Sequence, residues 1–131
     1  MKAYTDFEQS KKLAEILPIE SADMGYIPSE EDDDGNTLYT AEFKSEFIFD
    51  DDCCIQCWSL AALLGVLPTT IGNFFKKNAL RLRMDKGEND FNIWYENFDC
   101  GDVAEGLDAK EDNPVDACYA MIIYLHEQKL L

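Results

Sequence analysis

Hydrophobic and polar positions repeat at two different periods along this chain, and the switches between them mark its elements. Over residues 5–17, Phe7, Leu13, Ala14, Ile16 and Leu17 form one stripe, with Glu8, Gln9, Lys11, Lys12 and Glu15 opposite. That is the pattern of an amphipathic helix. Thr5 followed by Glu8 has the capping-box spacing, and Pro18 ends the helix by pushing Leu17 out of the α region. Met24 to Ile27 is a short apolar group that fits a strand at a sheet edge, closed by Pro28.

Over residues 39–49 the period is two. Tyr39, Ala41, Phe43, Phe47 and Phe49 share one parity, and Thr40, Glu42, Lys44 and Glu46 share the other. This predicts a long or bent β-strand. Tyr39, Phe43 and Phe47 are also spaced four apart, which keeps a helix as the runner-up. Residues 53–68 hold three cysteines (Cys53, Cys54, Cys57) and then a helical run, Leu60, Ala61, Leu63, Leu64 and Leu67, stopped by Pro68. Residues 69–78 read as a connector.

A hairpin comes next. Leu80, Leu82 and Met84 alternate with Arg81 and Arg83; residues 85–90 supply the turn; Phe91, Ile93 and Tyr95 alternate with Asn92, Trp94 and Glu96. In the last helix Asn113 fits the N-cap and Pro114 the first helical position, where a missing amide costs nothing. Asp116 and Lys129 complement its dipole, and Val115, Cys118, Met121, Ile122 and Leu125 form its apolar face. Residues 29–36 and 99–112 are acidic and read as exposed loops. The sum is an α+β fold: three helices over one face of a small, mostly antiparallel sheet built from residues 39–49, 79–84 and 91–95. At 131 residues the chain suits one domain, 1–131.

Composition narrows the function classes. Twenty-seven acids against 11 bases give a net charge of −16. Such a field repels phosphate and anionic lipid, which disfavours nucleic-acid and membrane binding and favours a basic protein partner. The longest apolar run, residues 60–67, is far short of the roughly 20 that a membrane span needs. The first twelve residues lack an apolar h-region, so a cytoplasmic chain with reduced thiols is expected.

Candidate chemistry is sparse. Cys54 and Cys57 have the two-residue gap that lets two thiolates reach one Zn²⁺, but the remaining candidates Cys100, Cys118 and His126 are single and scattered. Cys57 ahead of a helix could have a lowered pKa, with His126 as its base. Glu30, Asp32, Asp34 and Gly35 resemble the front half of a calcium loop, but the twelfth place is Ala41 where a Glu is required. Arg81, Arg83 and Trp94 could form a cation–π pair or a contact patch. There is no Gly-rich phosphate loop, HExxH or nucleophile elbow, so no enzyme and no cofactor is expected.

Three stretches carry a resemblance: residues 8–24 (EQSKKLAEILPIESADM), 58–68 (WSLAALLGVLP) and 113–131 (NPVDACYAMIIYLHEQKLL). They resemble short uncharacterised proteins of phages and mobile elements of gut bacteria. That group has no assigned activity, so it supplies a setting and no site residues. The leading expectation is a non-enzymatic acidic interaction protein, its sharp version a DNA mimic that occupies a host nucleic-acid-binding protein. Its surface would include Asp32, Asp33, Asp34, Asp50, Asp51, Asp52, Arg81, Arg83 and Trp94. The alternative is a small metal- or thiol-dependent protein centred on Cys54 and Cys57.

Overall fold

The computed structural model describes residues 2–44, 55–72 and 78–131. Asp50, Asp51, Asp52, Cys53 and Cys54, and the 45–49 end of the expected long strand, lie outside the described residues. The chain is α+β, with three α-helices and two antiparallel sheets. It divides into two compact units, Ala3–Ala62 and Met1–Lys2 with Leu63–Leu131.

In the Ala3–Ala62 unit, helix α1 (Phe7–Ile16) packs on a three-stranded sheet of β1 (Met24–Glu31), β2 (Thr37–Phe43) and β3 (Ile55–Cys57), in the order β2-β1-β3. The cap of α1 lies one residue beyond the expected one. Asp6 accepts from the Gln9 amide at 2.8 Å and the Gln9 side chain accepts from the Asp6 amide at 3.1 Å. Thr5 is unavailable as a cap because its hydroxyl is turned inward, 2.8 Å from the Ser10 hydroxyl. Both residues are buried, so the apolar stripe of α1 has one polar member satisfied by another.

Met24 to Ile27 is not a sheet edge but the start of the central strand, which continues through Ser29 to Glu31. Residues 29–36 are therefore only partly a loop. The turn is tied by Asp32, whose carboxylate accepts from the amides of Asp34 at 3.0 Å and Asn36 at 2.8 Å. This local Asx turn explains why β2 pairs with its immediate predecessor rather than with the later hairpin. Pro28 is tolerated inside β1 because, among the described residues, the pairing with β3 runs only from Met24 to Tyr26 and none of them asks for the missing amide on that side.

In the other unit a four-stranded sheet runs in the order β4 (Thr70–Ile71), β5 (Leu80–Lys86), β6 (Phe91–Asn97), β7 (Val103–Glu111), all antiparallel. Helix α3 (Pro114–Glu127) lies against β6 and β7. The expected hairpin is present, with Ile93 and Tyr95 buried on the helix side. So is the α3 cap, Asn113 accepting from the Asp116 amide at 2.9 Å. Val115, Cys118, Met121, Ile122 and Leu125 are all fully buried.

Two larger expectations also fail. The single sheet of residues 39–49, 79–84 and 91–95 is in fact two sheets, with β2 in one and the β5–β6 hairpin in the other. The 99–112 stretch is not a loop, because Val103–Glu111 is the edge strand β7. Only Leu107 and Ala109 of that strand are buried, too few apolar positions to show a period in the sequence. The middle helix α2 (Leu60–Val66) is shorter than expected; Leu63 is buried while Leu64 is exposed. No described helix is long and apolar enough to cross a membrane.

Candidate functional site

Three sequence candidates, Arg81, Arg83 and Trp94, are brought together by the β5–β6 pairing, in which Arg81 lies opposite Glu96 and Arg83 opposite Trp94. Strand alternation places these side chains on the face away from Ile93 and Tyr95. The residue that organises them is Glu96, which strand alternation alone does not distinguish. Glu96 Oε1 lies 2.7 Å from Arg81 Nε and 3.5 Å from Arg83 Nε, and its Oε2 accepts from Trp94 Nε1 at 3.3 Å. These are the only two arginines in the chain. The Arg81 hydrogen bond, followed by the Trp94 bond and the two positive charges, holds the Glu96 carboxyl below the usual range. The expected cation–π contact forms with a different ring, the Arg81 guanidinium lying 5.2 Å from the centre of Phe98.

Beside this patch runs β7. A tight loop precedes it: the Asn97 side chain accepts from the amides of Asp99 at 2.9 Å and Cys100 at 3.2 Å, and the Asn97 amide donates to Asp102 O at 2.7 Å. The loop and strand then carry Asp99, Asp102, Glu105, Asp108, Glu111 and Asp112, all exposed. The first five recur every third residue, a regularity that an aliphatic period search does not register. Lys110 is the single base of the strand, and it is 3.3 Å from Asp90. Between Trp94, Val103, Asp108 and Lys110 lies an open depression of about 240 Å³.

The acids elsewhere follow the same rule. None of the described Asp or Glu residues is buried. Several cations are spent on neighbours: Lys2 lies 2.8 Å from Asp116, and Lys11 and Lys12 are each 3.9 Å from a glutamate of α1. Asp32 is committed to its own turn, where the backbone amides of Asn36, Asp34 and Gly35 keep it ionised below its ordinary pKa. Asp33 and Asp34 are exposed beside it.

Cys57, the described member of the Cys54–Cys57 pair, lies in a buried polar cluster. Its Sγ is 3.6 Å from Thr5 Oγ1 and donates to Thr5 O at 3.5 Å; Tyr26 donates to the same carbonyl at 2.7 Å. Burial pushes the Cys57 thiol up, the reverse of the lowered pKa expected ahead of a helix. Helix α2 begins three residues later, and the thiol points into the α1–β3 contact. Cys118 is likewise raised by burial, to about 12. Cys100 is exposed, as is His126 near the end of α3. Among the described residues no group of three or more His, Cys, Asp or Glu is placed to hold a metal ion.

The arrangement offers charge, exposed edges and an Arg–Glu–Trp patch; among the described residues it assembles no nucleophile beside a base. Set against family models, curated proteins and solved structures, the chain matches none.

Proposed function

We propose that this chain is a non-enzymatic, acidic interaction protein that occupies a basic surface of a partner, in its sharpest form the nucleic-acid-binding surface of a host protein. The observation that carries the reading is the acidic edge formed by β7 and its flanks. Strand β7 lies along Phe91–Glu96 of β6, about 17 Å at the usual rise per residue, because it bulges around Gly106. Beyond the bulge, Asp108 and Glu111 stand roughly 10 Å apart along the strand and on opposite faces of it, so the acids flank the edge on both sides. One strand of DNA presents a phosphate about every 3.4 Å of helix axis. The edge therefore imitates the sign and direction of a nucleic-acid field, not its phosphates one by one. The likeness to mobile-element proteins supplies a setting in which such interference has a use.

The test is retention from a host lysate on the immobilised chain, with and without neutralisation of β7 (Asp102→Asn, Glu105→Gln, Asp108→Asn, Glu111→Gln). The retained proteins are expected to be basic, to elute at moderate salt, and to be displaced by duplex DNA. Retention unchanged by the four substitutions, or resistant to salt and to DNA, would sink the proposal.

A further inference from the structure

The two sheets expose edges of opposite character. Strand β7 carries four charges in nine residues. Strand β2, at the edge of the other sheet, carries one, Glu42, and three large apolar side chains that stand in solvent: Leu38 is 46% exposed, Tyr39 40% and Phe43 51%.

The hydrogen bonds show which backbone groups of β2 are free to pair. Leu38 O accepts from the Ser29 side chain of β1, Asn36 O accepts from the Asp32 amide, and the Lys44 amide donates to Asp23 O. Even-numbered positions thus turn their backbone groups toward β1. Pro28, which has no amide, lies opposite odd-numbered Tyr39, as that parity requires. The N–H and C=O groups of Tyr39, Ala41 and Phe43 therefore point away from β1, along an edge that no strand among the described residues pairs with. Such a row is a template for an added strand.

The surroundings select the chemistry of that strand. Glu30 and Glu31 sit opposite Leu38 and Thr37, and Glu42 lies further along β2. A shallow depression of about 350 Å³ lined by Pro28, Ser29, Glu30, Glu31 and Thr37 opens at the hairpin end. Tyr39, on the face that Thr37 and its partner Glu31 share, is braced by Phe7 with ring centres 4.9 Å apart, giving an aromatic ledge. We propose that β2 is a docking edge for an extended segment of a basic protein, alternating Lys or Arg with apolar residues, which adds to the sheet as a fourth strand. A second copy fits less well, since self-pairing would bring two chains of net charge −16 together.

The experiment uses a labelled ten-residue peptide of alternating lysine and valine and the intact chain, read by fluorescence anisotropy. Binding is expected, and N-methylation of the peptide on one edge should weaken it about tenfold, because charge is kept while ladder bonds are lost. Ala41→Pro should do the same from the protein side, since it removes an outward amide only, and Glu42→Lys should weaken binding several-fold. The β7-neutralised protein should bind the peptide as before, which separates this edge from the acidic one. Equal affinity for the methylated and unmodified peptides, or no binding of either, would overturn the inference. So would a dimer that Ala41→Pro returns to monomer, because the occupant would then be a second copy.

Discussion

Arg81 and Glu96 face each other across the β5–β6 pair at 2.7 Å, and the same carboxylate holds Arg83 and Trp94. A carboxyl whose folded pKa is depressed contributes stability that is present above its ordinary value and lost as pH falls through the folded one. Thermal unfolding of Glu96→Gln should therefore differ from wild type at neutral pH and converge with it as the pH drops below about 4.5, the ordinary glutamate value. A gap that stays constant down to low pH would show that Glu96 acts by shape alone.

The thiols should separate by environment. Cys100 is exposed, whereas Cys57 and Cys118 are buried with raised pKa values. Alkylation at pH 8 followed by peptide mass mapping should label Cys100 in the native protein and leave Cys57 and Cys118 unmodified until unfolding. The linkage has a definite sign: an acid whose folded pKa is raised favours the fold below its ordinary value of 9.0 and loses that contribution as pH rises through the folded one. Alkaline unfolding should begin above pH 9.

Asp23 joins the start of β1 to the start of α2. It accepts from the Ser59 amide at 2.9 Å and from the Ser59 hydroxyl, which itself accepts from the Ala62 amide at 3.2 Å. Ser59→Ala should cost about 1 kcal/mol, in the range of a lost helix cap, and Asp23→Ala at least as much. Chemical denaturation measures both; a change within about 0.3 kcal/mol for either would leave the cap without energetic weight.

Gly106 interrupts β7 with a φ of +76°, and an added Cβ would lie 2.8 Å from Gln128 Nε2, the group that donates to Gly106 O at 3.2 Å. Gly106→Ala should destabilise by roughly 1–2 kcal/mol, the cost of a left-handed backbone for an L-residue. Truncating Gln128→Ala in the same chain removes the clash, so the part of the loss that remains is backbone strain.

What the sequence revealed and what it hid follow from the range of the interactions. The α3 cap and the β5–β6 hairpin are set by residues within a few positions of each other, and Asn113, Pro114 and the 85–90 turn announce them directly. The α1 cap moved by one residue because Thr5 is claimed by Ser10 and Cys57, the latter 52 positions away. Strand β7 was hidden because it borrows its apolar partner from α3 and keeps only Leu107 and Ala109 for itself. The site was half legible. Arg81, Arg83 and Trp94 stood out by alternation, but Glu96 gains its role only from register, which alternation does not supply.

The chain's two tryptophans are divided between its units. Trp58, fully buried with its indole N–H donating to Ser21 Oγ at 2.9 Å, belongs to Ala3–Ala62, and Trp94 to Leu63–Leu131. Nature has thus placed one fluorophore in each half. With Trp58→Phe and Trp94→Phe variants, emission can follow each half of the chain through unfolding in turn. Coincident midpoints would mark a single cooperative transition, and separated ones two.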